Sequence, residues 1–204
     1  VDAILNSSVE AKTKVSSIGL LGVAGSNTLS LSQTSTQAYL GGGAKITATV
    51  GTVSLRADSD IIAKSEGTGL AAGLIAVSVT DIETKGDTTT KAFTESGGAI
   101  IAKNVKIQSH TNQDIDVDAD GAVGGIVAVG FMAPIAIVIN NNSVEIGRNT
   151  QISAQENVSI SAVSETNTYA VGTGAGGGAV AVLAANTKLD VTDTTSSQIN
   201  LGAN

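Results

Sequence analysis

The residues best suited to chemistry lie in one run, Asp114-Ile115-Asp116-Val117-Asp118-Ala119-Asp120-Gly121. From Asp116 to Gly121, acidic oxygens at alternate positions and a closing Gly match the first six places of a calcium loop. The match stops there, because the place of the bidentate Glu holds Val127. The alternation reads instead as a strand that shows its carboxylates to water and turns Ile115, Val117 and Ala119 inward. Aligned like charges attract a loosely held cation, so Asp116, Asp118 and Asp120 form the one metal candidate, with calcium as the ion. His110 is the only histidine and cysteine is absent, so neither a zinc set nor a thiolate nucleophile is available. His110 reads as an exposed turn residue. The two arginines, Arg56 and Arg148, and the aromatics Tyr39, Phe93, Phe131 and Tyr169 are scattered along the chain. No sugar-cleaving groove assembles from them. The glycine-rich windows lack the Lys-Ser/Thr ending of a phosphate loop. No catalytic residue is expected, and no cofactor beyond that calcium candidate.

These residues sit inside a repeat. Gly19-Leu20-Leu21-Gly22-Val23 returns as Gly73-Leu74-Ile75-Ala76-Val77, Gly125-Ile126-Val127-Ala128-Val129 and Gly178-Ala179-Val180-Ala181-Val182. The glycines step by 73−19 = 54, 125−73 = 52 and 178−125 = 53. A second marker, Val53-Ser54-Leu55, Val105-Lys106-Ile107 and Val158-Ser159-Ile160, keeps the same register. A third joins Ala38-Tyr39-Leu40 and Ile46-Thr47-Ala48 to Ala92-Phe93 and Ile101-Ala102, then to Val144-Glu145-Ile146 and Ile152-Ser153-Ala154. A fixed period of this size signals stacked units. The units are 1–52, 53–104, 105–157 and 158–204, with Val53, Leu55, Val105, Ile107, Val158 and Ile160 as repeat core. Neither terminal unit reads as a polar cap, as solenoid ends require, so an interior slice of a longer fibre is expected.

Composition selects the kind of unit. Apolar residues make up 42% of the chain but aromatics only 2%, so the interior must be narrow and lined with small side chains. Period-two alternation, β-branched residues and frequent Gly favour strands over helices. The expected fold is all-β: a right-handed parallel β-helix of four repeats. Strands usually run 3–10 residues, so each repeat is expected to hold two or three coils, making a rod about 40–60 Å long at about 4.8 Å per coil. Turns are placed at Gly41-Gly42-Gly43, Gly97-Gly98 and Gly147-Arg148-Asn149. The windows Gly121–Gly125 and Gly172–Gly178 read as thin, flat surfaces or as tight corners.

The same composition excludes function classes. A net charge of −7 opposes nucleic-acid binding, which needs basic neutralisation of phosphates. The uncharged run from Gly121 to Ile139 is long enough for a membrane helix, but Pro134, four glycines and the matching shorter windows of the other repeats assign it to a packed sheet. Within it, Phe131-Met132-Ala133-Pro134-Ile135 is bulkier than its counterpart Val79-Thr80-Asp81. Phe131, Met132, Pro134 and Ile135 are therefore expected to form a contact patch.

Ala38-Tyr39-Leu40-Gly41-Gly42-Gly43-Ala44-Lys45-Ile46-Thr47-Ala48, Asn157-Val158-Ser159-Ile160-Ser161-Ala162 and Gly178-Ala179-Val180-Ala181-Val182 resemble the tandem repeats of giant bacterial exoproteins, the filamentous-haemagglutinin-like and leukotoxin-like adhesins. The resemblance covers all four units and departs in the third, where Val144-Glu145 replaces the Ala-aromatic pair. It implies a β-solenoid fibre secreted to the cell surface. The expected role is a structural stalk module, its partners copies of itself or neighbouring repeats stacked end to end. A carbohydrate- or receptor-binding adhesin domain, contacting host or matrix glycans, is the alternative, with a β-helical polysaccharide-degrading enzyme behind it. Abundant Ser, Thr and Asn with few Lys suit an extracellular bacterial surface.

Overall fold

The computed structural model describes residues 1–203, and among them there are strands and no helix. The order is β1 (Asp2–Ile18), β2 (Leu21–Leu40), β3 (Lys45–Ala72), β4 (Ile75–Thr94), β5 (Ala99–Gly124), β6 (Val127–Ile146), β7 (Gln151–Gly177), β8 (Val180–Ala185) and β9 (Lys188–Ile199). All pairing is parallel, in two sheets: β1-β3-β5-β7, here sheet A, and β2-β4-β6, along whose far edge β8 and β9 lie in succession, here sheet B. The chain alternates between them, as a solenoid must. Val53 pairs with Val105 and Val105 with Val158, so the second sequence marker forms a single ladder.

Each repeat, however, makes one coil and not two or three. Asp2 pairs with Arg56, which is 54 residues on, and no closer turn of chain intervenes. The coil is simply long, because β3 runs 28 residues and β4 runs 20. Strand-length statistics come from sheets whose chains are broken by turns, whereas here the alternation of inward and outward residues runs on without a breaker. At about 3.3 Å per residue and about 4.8 Å between strands, four coils make a broad slab roughly 90 Å by 20 Å. The expected rod is absent.

Two corners per coil bound the strands, and each has its own chemistry. At the first, residues Gly41, Glu95, Gly147 and Asn200 open four-residue turns whose third positions all have positive φ: Gly43 (69°), Gly97 (76°), Asn149 (54°) and Gly202 (77°). A hydrogen bond from Ala44 N to Gly41 O closes the first of them at 3.1 Å. This is type II geometry, which admits Gly and, at a cost, Asn. The second corner is the repeated pentapeptide. A Cβ on Gly73 would overlap the Gly19 carbonyl oxygen below it, one on Gly125 that of Gly73, and one on Gly178 that of Gly125. Stacked corners therefore touch backbone to backbone, and only Gly fits. The tiny residue three places on, Gly22, Ala76 or Ala128, points inward where the two sheets converge; a Cβ on Gly22 would meet the Ala72 carbonyl oxygen at 2.5 Å.

The uneven period has one source. Register slips only between Ala48 and Thr52 in β3 and at the matching places in β5 and β7. Three residues (49–51) fill the slip in the second coil, one (103) in the third and two (155–156) in the fourth. Those differences account for steps of 54, 52 and 53. The bulge also corrects the third marker by one place: Ile46 pairs with Ile100, which is buried, and Ile101 faces out.

Between the sheets lie three aliphatic clusters. One, beside the turn corner, holds Leu55, Val105, Ile107, Val144 and Ile146; a second, mid-slab, holds Ile82, Ile115, Val117 and Val138; a third, at the glycine corner, holds Ala24, Ala76, Val123 and Ala128. Hydroxyls separate the first two. Thr111 donates to Thr90, Thr90 to Ser59 and Ser59 to Thr36, at 2.7, 3.0 and 2.7 Å, so these buried groups satisfy one another across the sheets.

Candidate functional site

Backbone direction is uniform along the slab. Outward-facing residues bond to the preceding coil, as Arg56 N does to Val1 O and Val180 N to Ile126 O. Inward-facing residues bond to the following coil, as Met132 O does to Asn186 N. Pro134 faces inward and has no N–H for the fourth coil. Opposite it, at Asn186 and Thr187, sheet B breaks into β8 and β9.

Along the predicted repeat core, exposure grades toward the last coil. Val53, Leu55, Val105 and Ile107 are buried, Ile160 is half-buried and Val158 is 50% exposed. On the side of the fourth coil away from the third, Ile152, Val158, Ile160, Ile199 and Ala203 line an apolar groove with Ile146.

The acidic strand lies on the outer face of sheet A with Ile115, Val117 and Ala119 fully buried behind it. Its carboxylates do not converge: among the described residues no three Asp, Glu or His side chains are grouped to hold an ion. Asp116 meets Lys64 at 3.5 Å, one strand away. Burial, then the neighbouring charges of Asp120, Asp116 and Glu66, push the Asp118 carboxyl above its ordinary value. His110 is not a turn residue. It stands within β5, with Nδ1 2.8 Å from Asp58 Oδ1 and Nε2 3.9 Å from Glu165.

The expected contact patch divides. Phe131 and Ile135 face out, whereas Met132 (2% exposed) and Pro134 turn into the core. Alternation on a strand requires this, since neighbours point to opposite faces. The patch that does exist is larger and centred on the glycine corner. Outward columns there read Leu21-Ile75-Val127-Val180, Val23-Val77-Val129-Val182 and Gly25-Val79-Phe131-Ala184 along the stack. Exposed Leu20, Leu74 and Ile126 cap the edge. The signal in the sequence was the pentapeptide's apolar second, third and fifth residues, which a purely structural corner would not need.

The aromatics also come together. Tyr39 and Phe93 share one register position on β2 and β4 and stack, with centroids 5.2 Å apart and planes 12° from parallel. Lys91 Nζ lies 4.7 Å from the Phe93 centroid and 2.6 Å from Glu145. Asn200 also donates to Glu145, at 2.9 Å, and the two bonds, that of Lys91 first, hold the Glu145 carboxyl below its ordinary value. Glu95, Arg148 and Gly147 complete an open cleft of about 650 Å³ at the turn corner. The sequence suggests scattered aromatics, although the third repeat marker already sets Tyr39 against Phe93 at an offset of 54 residues.

Compared with family models, with curated proteins and with solved structures, the chain matches none.

Proposed function

We propose that this chain is a structural module of an extracellular bacterial fibre or adhesin stalk, lengthening by stacking coil on coil. The observation that supports this is the fourth coil. Its inward residues direct N–H and C=O groups away from the third coil, in the register that joins the other coils and beside an apolar groove. Unpaired strand edges of this length are templates for another strand. The first coil of a second copy supplies matching residues, with Ala3 falling over Ala162 and Ala11 over Ala170 in continued register. The role is mechanical: each added coil completes one more layer of hydrogen bonds and aliphatic seam. Few Lys and many Ser, Thr and Asn suit the surface location.

Replacing Thr166 and Val191 by Pro tests this. Both face inward on the last coil, so neither N–H bonds within the chain. Electron microscopy of the unmodified chain should show extended filaments, and the double variant dispersed slabs. Dispersed particles from both proteins would end the stalk reading.

A second reading is favoured by the turn-corner cleft, lined by Phe93 with Lys91, Glu95, Glu145, Arg148 and Asn200: a glycan-binding adhesin surface. An aromatic side chain beside carboxylates, an ammonium, a guanidinium and an amide suits the C–H groups and hydroxyls of a sugar. Binding on a glycan array that vanishes with Phe93→Ala would support it; no retained glycan would remove it.

A further inference from the structure

The glycine corner sets an apolar, uncharged edge against a slab that is otherwise charged. No Asp, Glu, Lys or Arg occurs in residues 15–44, 67–80, 121–144 or 166–187, and each of the four windows passes through this edge. Its backbone is spent as well. Gly73 N donates to Gly124 O, Gly125 N to Gly177 O and Val127 N to Leu74 O, each at 3.0 Å, so these corner groups are already paired with a neighbouring coil. An edge with nothing polar to offer and much apolar surface is built for a dry contact.

We infer that the outer face of sheet B at the glycine corner pairs with the same face of a second copy, side by side and independently of end stacking. Area is the first argument. Leu21 and Val23 are 69% and 68% exposed, Val180 and Val182 55% and 53%, and the central Val129 39%. With the other exposed side chains of that edge the patch is on the order of 1,000 Å², against roughly 800 Å² per partner in a standard interface and 300–600 Å² for the largest patch of a typical monomer. Charge is the second. Two copies each carrying −7 repel over most of their surface, and only the uncharged edge brings them together without opposing carboxylates. The absence of basic side chains beside the patch also gives anionic lipid nothing to hold. Shape is the third: flat sheets pack face to face at about 10 Å, and one patch meeting itself closes a two-fold pair. The columns run along the stacking direction, so stacked copies would extend the stripe and multiply the contact.

The test uses the full chain with Thr166→Pro and Val191→Pro, which removes end stacking and leaves the edge untouched. Sedimentation equilibrium over a dilution series should find a dimer. Adding Val129→Lys, at an outward position in the middle of the patch, should weaken association about thirty-fold or more, as loss of a central contact does, with strand content by circular dichroism unchanged. Ser143→Lys, outward on the same strand but beyond the patch, should leave the dimer intact. If Val129→Lys loses its strand signal, Val23→Lys on the outermost coil gives the same reading. A monomer at every concentration, or a dimer indifferent to the patch lysines, overturns the pairing. So does a monomer that instead floats with phosphatidylcholine vesicles and is released by the lysine variant.

Discussion

Single residues in this fold are constrained by what lies 52 to 54 positions away. Gly125 is the clearest instance, because a methyl there would press on the Gly73 carbonyl oxygen. Neither backbone can retreat without opening the ladders on both sides. Gly125→Ala should therefore lower stability by about 1–3 kcal/mol, read from urea midpoints. Gly25→Ala, where the added carbon meets nothing within 4 Å, should be neutral or slightly stabilising. Asp118 supplies a pH test. Its folded-state carboxyl is raised by burial and by Asp120, Asp116 and Glu66, so its ionised form opposes folding. That penalty is present at neutral pH and disappears once pH falls below the ordinary value of 3.8, where folded and unfolded chains are both protonated. Asp118→Asn should raise the melting temperature at pH 7 and lose that advantage in acid. Glu145 has the opposite sign. Held low by Lys91 and Asn200, it stabilises above the ordinary value of 4.5 and ceases to do so as pH drops through its lowered one.

At the scale of strands, alternation carried most of the fold. Val53, Val105 and Val158 could be placed in one ladder because each opens an apolar-polar-apolar run, and the acidic strand's inward Ile115 and Val117 followed from the same period. The number of coils did not follow. It depends on whether a strand may continue beyond ten residues, and that is decided by stacked neighbours, about which one repeat says nothing. The contact patch at Phe131–Ile135 divided for a local reason, since bulk was counted without assigning alternate faces. Tyr39 and Phe93 were judged apart by their distance along the chain, though the repeat itself brought them together. Pro134 shows how one residue shapes an element it does not belong to, by withholding an N–H from the fourth coil. Pro134→Ala should join β8 to β9 and gain about 1 kcal/mol, the worth of one recovered hydrogen bond. Amide exchange through Asn186 and Thr187 should slow with it. Unchanged exchange there would separate the break from the proline.

For the whole molecule, two long sheets joined at two chemically different corners make a slab with three open surfaces. Its coil ends offer unpaired strands, its turn corner offers aromatic and charged side chains, and its glycine corner offers only aliphatics. The stalk reading assigns the ends to lengthening, and the lateral pairing assigns the glycine corner to bundling. Both depend on one geometrical statement: the chain advances by a single strand spacing per repeat. Gln108 and Ser161 test it directly, being outward partners on adjacent strands 53 residues apart in a chain that has no cysteine of its own. One coil per repeat puts their Cα atoms about 5 Å apart, inside the 4.4–6.8 Å that a disulfide spans. Two coils per repeat would place them near 10 Å. The double variant Gln108→Cys, Ser161→Cys should close quantitatively to an intramolecular disulfide under mild oxidation with its strand signal intact; two thiols that remain free in the folded protein would contradict the fold on which everything else rests.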